Sequence, residues 1–381
     1  MQLFNSLKPF AKSLQALPGI FWCISKFQHF KWLNIASKTT QYKKPIIYLG
    51  KKIPSSEGLV HGGAVKLQVL KNKFEISKTR CNIIYLASSS LPLFADKLIR
   101  IAKRRGVKIV WNQNGVSYPA SMPKKWKQIN EVFKQLIHQA DYVIYQSEFC
   151  KKSSDEFLGK FKGPSEIVYN CVDTDFFKPH NKNQKTHPLT LLLGGNQYKK
   201  YRIETALYTL AEVKKTIPEA RMIITGTIQW ENKTPGLCQK QTVEIIDRLG
   251  LKNAVEFTGP YSQKDAPQIY NRADILLHTK WRDPCPGLVI EAMACGLPVV
   301  YSSSGGVPEL VSKECGLGIK ADGDWENIDP PNPKELFKAI LHVCKTLHKY
   351  STFSRKRAVE YFNISSFINK HKEIFSSVLN A

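Results

Sequence analysis

The chain has 381 residues, enough for about two to three domains, with 43% hydrophobic and 23% charged residues, as in folded globular chains. Its nine cysteines are an odd number and form no CxxC pair, which argues against a disulfide framework or a zinc site and for a reducing compartment. The outlier is a net charge of +25, and residues 1–180 carry most of it, with 29 basic against 11 acidic residues. An anionic partner is therefore expected for that half: a phospholipid surface, a phosphorylated acceptor or nucleic acid.

Residues 1–44 contain seven lysines and no acid, interleaved with Phe21, Trp22, Phe27, Phe30 and Trp32. The apolar stretch around Ile20–Ile24 is too short for a signal-peptide core, which argues against export and for a cytoplasmic protein. Such a segment suits the inner face of an anionic membrane, as a peripheral anchor, or a helical extension packed on the first domain. From Lys44 onward, apolar runs alternate with helical patterns. Strands are expected at 45–49, 82–86, 108–111, 141–145 and 166–168, and helices at 93–105 and 126–140. A second set follows, with strands at 189–193, 221–225, 255–258, 275–277 and 298–301, and helices at 204–215, 242–249, 266–271 and 288–294. A helical pattern over 354–379 closes the chain. Two doubly wound α/β domains are implied, with the polar, proline-flanked stretch Phe177–Pro188 holding the linker.

The most informative segment runs from Trp281 to Leu310. Asp283 and Glu291 bracket seven residues, and Gly287 precedes an apolar stretch that opens a helix. A helix start presents unpaired N–H groups and the positive end of the dipole, which suits a diphosphate. A carboxylate one turn inside can accept hydrogen bonds from the vicinal hydroxyls of a ribose, and one just outside can grip another polyol. The run from Cys295 to Val300 reads as a tight turn into a buried strand, and Ser304-Gly305-Gly306 as a loop beside the same crevice.

This pattern resembles the retaining GT-B glycosyltransferases, specifically glycosyltransferase family 4, whose hallmark is an acid, seven residues, a Glu, then EAMAxGxPVV and GGxPE. Gly62-Gly63, Tyr142–Ser147, Asn170–Thr174, PEARMIITG at 218–226 and VEFTG at 255–259 fall in the family's order, so that the likeness covers residues 45–381. The resemblance implies two Rossmann-like domains facing a central cleft: residues 45–178 for the acceptor and 189–352 for the nucleotide sugar. Residues 179–188 would link them, and 353–381 would return to the first domain. It implies transfer of a sugar with retention, without a metal or other cofactor, from a nucleotide-diphosphate sugar to the hydroxyl of a glycan or lipid-linked acceptor, as in polysaccharide assembly.

Carried over by position, Glu291 would bind the ribose and Asp283 the hydroxyls of the transferred sugar, and the amides of Gly287, Leu288 and Val289 would receive the diphosphate. Gly62 and Gly63 would form a loop approaching the phosphates. Gly195 stands where the family usually has arginine, leaving phosphate neutralisation to Lys199, Lys200 or Arg202. Asn114 stands where a histidine is common, and an amide can hydrogen-bond a hydroxyl but cannot serve as a general base; His61 is the substitute within reach of the glycine pair. Asp173-Thr174-Asp175 imitates a metal-binding DxD, but the structural reading is preferred, and Asn363-Ile-Ser fits a glycosylation acceptor without a secretory route to support it. The competing readings are a nucleotide-sugar epimerase or phosphorylase of the same fold, an inactive sugar-binding homologue and, more remotely, a basic nucleic-acid binder.

Overall fold

The computed structural model describes residues 32, 34–38, 44–51, 53, 62–180, 188–230, 233–321 and 323–381. They fall into two compact units, the first holding the described residues up to Tyr169 together with Phe367–Ala381, the second holding Asn170–Ser366. Residues 1–31 and His61 lie outside the described residues, as does most of the stretch between Tyr42 and Gly62 that precedes the first helix.

The first unit is built on a parallel sheet of β1 (Ile46–Tyr48), β2 (Glu75–Ile76), β3 (Ile83–Ala87), β4 (Lys108–Gln113), β5 (Tyr142–Tyr145) and β6 (Ser165–Ile167), in the order β2-β1-β3-β4-β5-β6. Strand β3, Ile-Ile-Tyr-Leu-Ala, is buried along its whole length, as expected of a central parallel strand covered on both faces. The helices Ala95–Arg104 and Trp126–Ile137 turn Leu98, Ile99, Ala102, Leu136 and Ile137 into its core. Gly62 and Gly63, expected in a loop, instead open the helix Gly62–Lys73.

The second unit repeats the plan with β7 (Thr190–Leu193), β8 (Arg221–Thr225), β9 (Val255–Gly259), β10 (Ile275–His278), β11 (Val299–Ser303) and β12 (Gly316–Lys320), all parallel, in the order β12-β11-β10-β7-β8-β9. The chain starts in the middle at β7, winds outward to β9, and crosses back to β10 on the other side. The topological switch point therefore lies between the carboxyl ends of β7 and β10, where open α/β sheets bind ligands. Leu191, Leu193, Met222, Ile224, Ile275, Leu277 and Val300 form the core of the sheet under the helices Lys200–Thr216 and Pro333–Lys345.

The division at Asn170 falls upstream of the expected linker. The reason is packing: Asn170 Nδ2 donates to Cys285 O at 2.8 Å, Val172 N to Phe362 O at 2.8 Å, and Phe177 is buried with its carbonyl bound by Arg355. Residues 170–180 therefore belong to the second unit. The expected single helix near the end is two, Leu347–Tyr361 and Ile364–Asn380. Asn363 separates them, its Oδ1 accepting from Ser366 N at 2.8 Å and its Nδ2 donating to Val359 O at 2.8 Å, so the apparent glycosylation acceptor is a helix junction and cap. Asp173 Oδ1 accepts from the backbone N–H groups of Asp175 and Phe176, both at 3.1 Å, a turn that supports the structural reading of the DxD imitation. Among the described residues, no helix is long and apolar enough to cross a membrane.

Candidate functional site

The switch point of the second unit is lined by bare backbone. Beyond β7, Gly194 presses against Leu288: a Cβ on it would lie 2.7 Å from the leucine side chain. Gly195 adopts φ +76°, and Gly226, at the end of β8 with φ +80°, approaches so closely that a Cβ there would stand 2.6 Å from Gly195 O. Only glycine combines such conformations with such contacts at low cost. Gly195 N donates to Thr225 Oγ1 at 2.9 Å, and Asn196 Oδ1 accepts from Thr227 N at 2.7 Å, which fixes the loop.

Against this loop lies the start of the helix Gly287–Ala294, which holds Gly287, Leu288 and Val289 in its first turn. Its N-cap is Pro286, which has no side-chain acceptor, and the first turn contains no acid, so the positive end of the dipole is not neutralised from within the helix. One turn in, Glu291 accepts a hydrogen bond on Oε2 from the Tyr270 hydroxyl at 2.8 Å. Its Oε1 faces Gly287, 4.0 Å from where a Cβ on that glycine would be. Burial lifts the Glu291 carboxyl above the usual range, and the Tyr270 hydrogen bond pulls it back.

Asp283 is 8% exposed and lies in the loop between β10 and this helix. Burial would raise its pKa, but the Lys280 ammonium at 3.0 Å and His278 Nε2 at 3.3 Å, both on Oδ2, override that and hold the carboxyl well below the usual carboxylate range. His278 itself is buried and pushed towards the neutral form, and its contact with Asp283 lacks the alignment of a hydrogen bond. The backbone of Asp283 is fixed from the other side: Gly306 N donates to Asp283 O at 2.8 Å, and Gly305, with φ +72°, leaves only 2.6 Å between that oxygen and the place of a Cβ. Arg282 takes the left-handed conformation at φ +51°, with its guanidinium between the rings of Trp281 and Trp325, 4.5 and 3.9 Å from their centroids.

The expected cations behave differently from one another. Arg202 is 5% exposed and bound inward, donating to Asn196 O at 2.7 Å and Gly194 O at 3.3 Å. It shapes the glycine loop instead of offering a charge to a ligand, a correction to its expected role. Lys200 is partly exposed and pairs with Glu204 at 2.8 Å, and Lys199 is the N-cap of the helix Lys200–Thr216. In the first unit, Asn114 directly follows β4. Its N–H donates to Ser88 Oγ at 2.9 Å, and its buried Oδ1 has no partner among the described residues. Sequence reasoning found Asp283, Glu291 and the glycines but missed Tyr270, Tyr261, Lys280 and His278, which carry no motif; the one available signal was that Lys280 and His278 sit within five residues of Asp283 on the same strand end.

Two parallel six-stranded sheets, each flanked by helices, with glycine-lined loops and an uncapped helix start at the second switch point, define the GT-B fold. Solved structures agree: Anabaena Alr3699/HepE, in complex with UDP and glucose, superposes with a TM-score of 0.67 at 16% identity, over 88% of this chain and 100% of that one. Sucrose-phosphate synthase from Thermosynechococcus elongatus gives 0.62 at 16%, over 84% and 77%. Over residues 173–353 the chain matches the family glycosyl transferases group 1. Among curated proteins it is similar to D-inositol 3-phosphate glycosyltransferase of Mycolicibacterium smegmatis, 25% identical over 205 residues, covering 50% of this chain and 45% of that protein. It is also similar to sulfoquinovosyl transferase SQD2 of Arabidopsis thaliana, 23% identical over 255 residues, covering 63% and 46%. The chain spans about half the length of these curated relatives.

Proposed function

We propose that this protein is a retaining glycosyltransferase that moves a sugar from a nucleotide-diphosphate sugar, with UDP the first candidate for the nucleotide, to an acceptor hydroxyl. The observation that carries the reading is the uncapped start of the helix at Gly287, set beside two carboxylates that each keep one oxygen unengaged. Its amides at Gly287 and Leu288 receive the diphosphate, whereas that of Val289, expected to join them, donates to Pro286 O at 3.1 Å. Glu291 Oε1 accepts from the ribose hydroxyls, and Asp283 Oδ1 accepts from a hydroxyl of the sugar. Gly62 and Gly63 are assigned to the phosphates and Asn114 to the acceptor, with the first unit binding the acceptor and Lys199 or Lys200 supplying the charge that faces the departing diphosphate.

The step follows the family's front-side route. The acceptor oxygen bonds to the anomeric carbon as the bond from that carbon to the diphosphate oxygen breaks, and the acceptor proton passes to the leaving phosphate. No side-chain base is needed, so an asparagine at position 114 is compatible with turnover. HepE, whose crystals hold UDP and glucose, motivates UDP as the nucleotide. The positive first half, with 29 basic against 11 acidic residues up to residue 180, suits an acceptor borne on an anionic membrane face, in glycan or polysaccharide assembly at the cytoplasmic side.

The test is calorimetric and thermal-shift titration with UDP, GDP, ADP and their sugar conjugates. One nucleoside diphosphate should stabilise the protein selectively, and Glu291→Ala should weaken it by roughly tenfold or more, the worth of hydrogen bonds to a charged group. Failure of all three to bind would remove the reading, and steeply salt-dependent binding of nucleic acid instead would favour the basic-binder alternative.

A further inference from the structure

Glu291 does not stand alone in the second unit. Its Oε2 accepts from the Tyr270 hydroxyl at 2.8 Å, and the Tyr270 oxygen lies 3.2 Å from that of Tyr261. Because Tyr270 spends its proton on the carboxylate, it accepts from Tyr261. Two phenols thus donate in succession towards the carboxylate on the helix beyond β10, and successive bonds in such a chain polarise one another. The three residues come from three separate places in the sequence.

We propose that Tyr261 and Tyr270 form a positioning relay that ties back Oε2 of Glu291 and so holds Oε1 turned to the ligand. The inference rests on the donor-site reading only for what Glu291 binds; the relay itself is a property of the chain. Burial drives Glu291 towards the protonated form, and the Tyr270 hydrogen bond opposes this, while burial and the neighbouring carboxylate keep both phenols protonated as donors. Other charged groups near the helix are spent elsewhere. Arg355 is bound by the carbonyls of Ala294, Phe177 and Thr174, Arg357 by those of Glu309 and Leu310, and His278 faces Asp283.

The experiment uses the full chain as wild type, Tyr270→Phe and Tyr261→Phe, with Glu291→Gln to assign the carboxyl signal. NMR titration of carbon-labelled glutamate should show the Glu291 midpoint moving upward by roughly one pH unit in Tyr270→Phe and by less in Tyr261→Phe. UDP binding, followed by calorimetry from pH 5 to 8, should weaken about tenfold in Tyr270→Phe and fail at a higher pH than in wild type. A merely structural tyrosine would lower the melting temperature and leave both pH profiles unmoved. An unmoved Glu291 midpoint overturns the relay whether or not UDP binds, whereas a moved midpoint in a protein that binds no nucleotide supports the relay and overturns the donor-site reading.

Discussion

Asp283 and Glu291 are chemically near-identical side chains eight positions apart, and their surroundings push them in opposite directions. Asp283 has a lysine and a histidine on one oxygen and is held far down; Glu291 has only phenols and is lifted by burial. Asp283 therefore stays an acceptor throughout the physiological range, and the acid limb of any pH profile belongs to Glu291. Its folded pKa is raised, so function that needs the anion is complete above that pKa and fades as pH falls through it. The expected outcome for Asp283→Asn is nearly unchanged nucleoside diphosphate affinity with turnover reduced roughly 100-fold, because in the proposed reading the lost charge serves the sugar and not the nucleotide. Equal loss in binding and turnover, measured by calorimetry and product formation, would contradict that division of labour. The spacing of the two acids was legible in the sequence because it is local. Tyr270 and Tyr261 were not, since a phenol reaching a carboxylate across 21 residues of chain, with a second phenol behind it, leaves no local trace.

At the level of elements, most strands could be read because they are short apolar runs buried on both faces, as in Thr190–Leu193 and Ile275–His278. Strand β12, Gly-Leu-Gly-Ile-Lys, escaped because two glycines dilute its apolar signal. They are there for sterics: a Cβ on Gly316 would fall 1.9 Å from Val299 O, and one on Gly318 would meet the Tyr301 ring at 2.9 Å. The helix Pro333–Lys345 has an Asn332 cap and a proline in its first turn, a start signal that went unread. The site depends on the same close backbone approach at Gly226. Gly226→Ala should cost roughly 2–4 kcal/mol, combining left-handed strain with a contact at 2.6 Å to backbone that cannot step aside without moving the glycine loop. Chemical denaturation would register the loss, and nucleotide affinity should fall with it. A variant of wild-type stability would show that the loop yields more easily than its packing implies.

On the scale of the whole molecule, the chain leaves the first unit at Tyr169 and re-enters it at Phe367, within the last helix. What fastens that return is partly aromatic and partly titratable. Phe375 packs edge-on against Phe74 at 5.0 Å between centroids, Lys370 pairs with Glu166, and His371 sits fully buried beside Tyr85. His371 Nδ1–H donates to Phe367 O at 2.8 Å, leaving Nε2 to accept from the Tyr85 hydroxyl at 3.1 Å, so both ring nitrogens are satisfied in the neutral imidazole. Burial lowers its pKa from 6.5 to about 4, with Lys66 adding to the effect. A depressed histidine binds fewer protons folded than unfolded between those values. Its contribution is complete above about pH 6.5 and is lost progressively as pH falls towards 4. The loss should amount to no more than roughly 3 kcal/mol, seen as early unfolding of the first unit. His371→Gln should flatten the profile across this window while lowering stability at pH 7.5, and denaturant titrations at pH 7.5, 5.5 and 4.5 would separate the two effects. An unchanged slope would assign the acid sensitivity to carboxylates elsewhere, and the fastening of the closing helix would then rest on its aromatic contacts and the Lys370–Glu166 pair.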